Sequence, residues 1–300
     1  MVTDNLQIAL AALGRIIGVV NQQSPAVQNT AGPLAEHERN TASSIVAVQN
    51  VHHAYQPDAP VLHGITATID AGETVAVVGA TGSGKSTLAS LIAGIYQPSA
   101  GQIIHAVDPH RVVTVTQETH VFTGTVRENL TLAAATADDA TIINAIQHVG
   151  AQHMIARLEH GLDTAIGHGG HTLTAAEVQH LALARLVLAD PALVILDEAT
   201  AEAESADDDQ LNAAAQAAIT GRAALVIAHQ LSQAAACDRI LVMDAGRIIE
   251  QGDHASLVAA QGSYANLWAA WSVYNRPVPV QRVDPVPAGP RARVAIDKTA

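Results

Sequence analysis

Lysine is nearly missing from this sequence: Lys85 and Lys298 are the only two, and 15 basic residues face 28 acidic ones for a formal charge of -13. A surface that neutralises nucleic-acid phosphates needs clustered Lys and Arg. No such cluster occurs here, so nucleic acid is not an expected partner. Aromatic residues are scarce too, at 2%, and a core must be assembled from Ala, Val, Leu and Ile. With 49% of its 300 residues apolar, the chain still has ample material for a core and for about two domains. The single cysteine, Cys237, can form neither an intrachain disulfide nor a multi-thiolate metal site, which fits a reducing compartment. No apolar run reaches the roughly 18 residues needed to cross a bilayer. The most apolar N-terminal stretch, Ile8 to Val20, is broken by Arg15 and has no small-residue cleavage site behind it, so it does not read as a signal peptide.

What is present divides into three parts. Leu6, Leu10, Leu13, Ile17 and Val20 recur at steps of four and three, which lines them along one side of a helix. Gln22 to Asn40 follows with Ser, Pro, Gly and scattered charge, the composition of a linker, so residues 1–42 are expected to be helix and linker. From Ser44 the segments Ser44 to Val51, Ile65 to Ile69 and Thr74 to Val78 read as strands between turn residues. Beyond Lys85, helical patterns alternate with short apolar runs at Leu193 to Leu196, Ala224 to Ile227 and Ile240 to Met243. Such alternation predicts an α/β domain, over 43–274, with a largely parallel, buried sheet. Pro277, Pro279, Pro285, Pro287 and Pro290 mark 275–300 as a Pro-rich tail expected to be disordered.

One segment carries chemistry directly. The apolar strand Val75 to Val78 leads into Gly79-Ala80-Thr81-Gly82-Ser83-Gly84-Lys85-Ser86-Thr87 and then into the helical Leu88 to Ala93. Both spacing and context match a phosphate-binding loop. Glycines let the loop turn its N–H groups inward around phosphates, and the following helix offers its positive end to the same charge. Lys85 would reach the β and γ phosphates of a nucleotide, and the Ser86 hydroxyl would bind Mg2+.

With that loop in place, the chain resembles the ATP-binding (nucleotide-binding) domain of ABC transporters, of the exporter type, from about Ser44 to Ser272. Val194-Ile195-Leu196-Asp197-Glu198-Ala199-Thr200 is similar to the family's Walker B strand. This implies Asp197 in the Mg2+ shell and Glu198 as general base toward the attacking water. Independently of the family, adjacent carboxylates ending an apolar strand are what metal-assisted phosphoryl transfer requires. Gln117, in Val115-Thr116-Gln117-Glu118, looks like the Q-loop glutamine, touching both the Mg2+ site and the segment that senses the membrane domain. Val121 to Leu130 after it carries the exporter pattern. His229, in Val226-Ile227-Ala228-His229, resembles the switch histidine that contacts the γ phosphate. Tyr55 looks like the aromatic that stacks on adenine. The implied fold is a P-loop NTPase core of ABC ATPase type with an N-terminal antiparallel β subdomain and a helical subdomain over roughly Gly124 to Leu183.

Departures from the family are confined to what is offered to a partner. The usual Leu-Ser-Gly-Gly-Gln signature stands here as Leu173-Thr174-Ala175-Ala176-Glu177, which would reach across a dimer to the ATP of the other subunit. Thr174 keeps the hydroxyl, whereas methyl groups at Ala175 and Ala176 are expected to restrict the backbone and crowd the γ phosphate. Ala201-Glu202-Ala203-Glu204 replaces the usual D-loop, and Gly167-His168-Gly169-Gly170 precedes the signature. The resemblance therefore implies an ATPase using ATP and Mg2+, powering export at the cytoplasmic face of the membrane. Its partners would be a transmembrane domain and a second nucleotide-binding domain, from a different subunit if the asymmetry is functional and from a like subunit if it is drift. A nucleotide-sensing interaction module that binds ATP without efficient hydrolysis is the alternative. The first helix reads either as the cytosolic end of a last membrane helix or as an amphipathic helix docked on the domain or on a separate membrane protein.

Overall fold

The structure, a computed structural model, describes residues 44–116, 119–197, 206–228 and 230–274. The expected helix and linker at 1–42, the tail at 275–300, Gln117, Glu198, residues 201–204 and His229 lie outside the described residues.

The described residues open with a hairpin, β1 (Ser44–Gln56) and β2 (Ala59–Asp70), turned at Pro57 and Asp58. Alternating apolar residues predict β1 only to Val51. Its pairing shifts around Asn50, which takes a positive φ of 46°, so the alternation breaks while the ladder continues to Gln56. Next in sequence come β3 (Thr74–Val78), helix α1 (Lys85–Ile92) and β4 (Ala100–His105). β4 pairs with the free side of β1, completing an antiparallel sheet of order β2-β1-β4.

A second sheet holds six strands in the order β11-β10-β3-β9-β8-β5, comprising β5 (Val112–Thr116), β8 (Leu193–Asp197), β9 (Ala223–Ile227), β10 (Arg239–Asp244) and β11 (Arg247–Gly252) beside β3. All pairings are parallel except the β10–β11 hairpin. Because successive side chains point to opposite faces, β3 is divided between two cores. Val75 and Val77 join Leu225, Ile227, Leu193 and Ile195 on the face covered by α1 and by the antiparallel sheet. Ala76 and Val78 join Val194, Leu196, Ala224 and Val226 on the other face. With both faces covered, these strands carry near-continuous apolar sequence, the pattern read from the sequence.

The second face is packed by helices: α2 (Val126–Thr131), α3 (Asp139–His148), α4 (Gln152–Arg157), α5 (Ala175–Ala189) and α6 (Ala206–Ile219). A two-strand clasp of β6 (Gly124–Thr125) and β7 (Ala165–Ile166) ties this region at its base. α5 passes the expected limit at Leu183 because Leu186 is as buried as Leu181. Beyond the sheet lie α7 (Leu231–Ala235), α8 (His254–Ala259) and α9 (Ser263–Tyr274). Among the described residues, no helix is long and apolar enough to cross a membrane.

Candidate nucleotide site

The phosphate loop sits where β3 hands the chain to α1, and two of its glycines are fixed by what surrounds them. A Cβ on Gly79 would meet the Met243 carbonyl oxygen at 2.1 Å, so the loop lies against the backbone of β10. Gly84 has φ 98° and a virtual Cβ 2.6 Å from the Leu62 side chain, which makes any larger residue both strained and crowded. Val61, Thr81, Gly82, Gly84, Lys85, Ser86 and Thr87 line a concavity of about 190 Å³.

Helix α1, like α4 and α7, starts without a side-chain cap. Thr125, Asp138, Thr174 and Asp253 each accept a hydrogen bond from a first-turn N–H of α2, α3, α5 and α8, but Gly84 puts no side chain over the first turn of α1. First-turn N–H donors without a side-chain cap, beside a lysine, suit an anion. Lys85 is 9% exposed and its Nζ donates to the Gly79 and Ala80 carbonyls at 2.9 and 3.0 Å, which holds the ammonium inside the loop. Ser83 is buried, and Thr87 lies at the far end of the concavity.

Strand register brings the second half of the site to the loop. Thr116 pairs with Asp197 and Asp197 with Ile227, so the ends of β5, β8 and β9 stand at one level. From there the Asp197 carboxylate reaches the Ser86 hydroxyl at 3.4 Å. In the sequence, Gln117 directly follows Thr116, Glu198 follows Asp197, and His229 follows Ala228. Ser86 and Asp197 offer hard oxygen donors suited to Mg2+. Among the described residues no group of three or more His, Cys, Asp or Glu could hold a metal.

On the hairpin side, Tyr55 is 54% exposed, and its hydroxyl lies 3.1 Å from that of Thr87. Its ring meets His53 and Tyr96 edge-on, with centroids 4.9 and 5.4 Å away. Tyr96 is exposed as well, so a small aromatic surface adjoins the loop in a chain with few rings.

The signature segment begins α5. The Thr174 hydroxyl accepts the Glu177 N–H at 3.3 Å, while the Glu177 carboxylate accepts the Thr174 N–H at 2.8 Å, a reciprocal capping box. Arg157 pairs with the same Glu177. Ala175 and Ala176 are the first two helical residues and have no positive φ. Ordinary helical angles suit alanine, the best helix former, at both positions.

A family model described as ABC transporter matches residues 62–201, spanning the phosphate loop, the Asp197 strand and the signature. Residues 62–201 form an ABC transporter ATP-binding domain. The chain is 38% identical over 278 residues to a multidrug efflux ATP-binding/permease protein of Mycobacterium bovis (strain BCG / Pasteur 1173P2), covering 89% of this chain and 23% of that protein. An ATP-dependent lipid A-core flippase of Saccharophagus degradans is 35% identical over 273 residues, covering 88% and 46% respectively. Among solved structures, a bacterial Atm1-family ABC exporter with ATP bound superposes with a TM-score of 0.68 at 33% identity, over 76% of this chain and 42% of that one. The chain thus spans less than half the length of each of these relatives.

In and beside this ABC domain, the structure brings Gly79, Thr81, Gly82, Ser83, Gly84, Lys85, Ser86, Thr87, Asp197 and Tyr55 to one side of the loop–strand junction. Thr174 to Glu177 form a separate helix start on the helical region. Val61, His53 and Tyr96 were not anticipated. For the two rings a signal existed, since the scarcity of aromatics that singles out Tyr55 applies equally to Tyr96. Val61 had none, because it reaches the loop only through the hairpin.

Proposed function

We propose that this chain is the ATP-binding and ATP-hydrolysing part of an ABC exporter. It would work at the cytoplasmic face of the membrane with a transmembrane domain and a second nucleotide-binding domain. The carrying observation is the 3.4 Å approach of Ser86 to Asp197, which joins the phosphate loop to the acidic end of β8. Support comes also from relatives named as efflux and flippase proteins, which combine ATP-binding and permease parts or are ATP-dependent.

In this reading the nucleotide phosphates lie in the Gly79–Thr87 loop and Lys85 turns from its carbonyl partners to the β and γ phosphates. Ser86, Gln117 and Asp197 would hold Mg2+, which would supply charge compensation on the phosphates. Tyr55 carries the base. Glu198 accepts a proton from the attacking water, His229 holds the γ phosphate in line, and Gln117 links the site to the membrane partner. Preorganised positive groups of this kind stabilise charge that develops in the transition state.

The second domain belongs, in our reading, to a different subunit. Groups acting on this chain's own ATP are all present in the sequence, while its signature carries alanine where the family carries glycine. A Glu198→Gln chain should bind ATP with unchanged affinity and lose turnover. Hydrolysis at the native rate would remove Glu198 from the base role, and absence of ATP binding would end the reading altogether. Light scattering of that variant with ATP and Mg2+ separates the partners: a stable dimer means a like subunit, a monomer that binds nucleotide means a missing one. ATP binding without turnover in every pairing would make the chain a nucleotide-sensing module instead.

A further inference from the structure

Residues 119–123, between β5 and β6, form no regular structure, and their backbone is gathered by two side chains, one from the adjoining helix α2 and one from the distant α5. Asn129 of α2 is 1% exposed; its Oδ1 accepts the Phe122 N–H at 2.9 Å, and its Nδ2 donates to the Phe122 and Thr125 carbonyls at 2.8 and 2.9 Å. Arg185 of α5, 8% exposed, donates from Nε to the Asn129 carbonyl at 2.8 Å, from one terminal nitrogen to the His120 carbonyl at 2.8 Å, and from the other to Asn129 Oδ1 at 2.6 Å. The Phe122 ring lies 5.7 Å from the guanidinium carbon.

These acceptors are amide oxygens, not carboxylates. A guanidinium buried with no counter-ion among the described residues is costly, and burial pulls the Arg185 pKa down to about 10. What offsets the cost is a planar fork that grips the 119–123 loop and α2 at once, which a point-charge ammonium cannot do. On the other side, α5 runs back without a break from Arg185 to its capped start at Thr174, a rigid span of about 15 Å. In the sequence, the gripped loop is the one that follows Gln117.

We propose that Arg185, acting through Asn129, is a positioning residue that makes the 119–123 loop and the Thr174–Glu177 helix start shift as one body when nucleotide binds. The inference rests on the nucleotide reading of the Gly79–Thr87 loop given above. It gives the buried guanidinium a task that the chemistry at Asp197 does not use.

Hydrogen–deuterium exchange on the full chain, with and without a non-hydrolysable ATP analogue and Mg2+, tests it. In the native chain, exchange at 119–123 and at 174–178 should change together. In Arg185→Lys the analogue should bind as before and the response at 119–123 should remain, while that at 174–178 disappears. Turnover in the assembled transporter should fall by about a hundredfold with KM for ATP unchanged, the scale of loss for a misplaced group. A merely structural arginine would lower the melting temperature and leave the two responses joined, which would overturn the proposal. Should Arg185→Lys fail to fold, the native chain decides alone: independent responses at the two segments refute the link. Failure of the analogue to bind the native chain would count against the nucleotide reading, and is distinguished by calorimetry beforehand.

Discussion

The Tyr55 phenol and the Thr87 hydroxyl, 3.1 Å apart, tether the exposed ring of the hairpin to the first turn of α1. A residue proposed to carry the base is thereby joined to one proposed to meet the phosphates. Tyr55→Phe keeps the ring and should leave ATP affinity nearly unchanged, whereas Tyr55→Ala should weaken it by about 1–3 kcal/mol, the worth of one stacked base. Titration with inorganic triphosphate supplies the control, since its affinity should ignore both changes. A parallel loss for triphosphate would separate Tyr55 from the base.

Asp197 meets Ser86 at 3.4 Å, and its replacement by Asn removes charge while nearly keeping shape. In Asp197→Asn, ATP binding in EDTA should match the native chain, while the gain on adding Mg2+ should vanish. Calorimetry in the two buffers measures this, and an undiminished Mg2+ effect would take the carboxylate out of the metal shell.

The alanines at the start of α5 favour the helix, so reverting both to glycine should lower the urea midpoint, by less than about 1 kcal/mol per site at these terminal positions. Against that loss, a Glu198→Gln chain carrying Ala175→Gly and Ala176→Gly should form the ATP-dependent dimer that the alanines hinder. Light scattering reads the outcome; persistence of the monomer would show that the methyls are not the obstacle.

Acid should act first through carboxylates held ionised by the fold. The Thr74 N–H and hydroxyl, at 2.8 and 2.7 Å, hold the Asp238 carboxyl below its ordinary 3.8. A lowered folded value means that the stabilisation is complete above the ordinary value and is lost as pH falls through the lower one. Thr74→Val removes one of the two donors. It should be less stable than the native chain near neutrality, and the gap should close in strong acid. A gap in urea midpoints that stays constant with pH would mean that packing, not this carboxylate, is responsible.

Much of the site was legible because its chemistry is local. A loop needs glycines at fixed spacing after an apolar strand, and here it holds one of only two lysines in the chain. The α/β class was equally plain, since fully buried strands such as β9 leave uninterrupted apolar runs, whereas the antiparallel opening came only from the resemblance to the ABC family. Strands β4, β5 and β11 were not separately marked, because β4 and β11 hold no buried residue and β5 only two. Arg185 and Asn129 were invisible for a different reason. Most of their partners are backbone groups, one of them 65 residues from Arg185, and no periodicity records a carbonyl.

Strand β3 gives alternate residues to two different cores and then turns, with no spacer, into Gly79. Heat that loosens either core must therefore pass through the five residues that carry the loop. A nucleotide seated there cannot outlast the melting of one half while the other persists. Calorimetry should accordingly find a single endotherm for the described domain, displaced upward as a whole by ATP, with the last bound nucleotide leaving only when the wall between the two halves gives way.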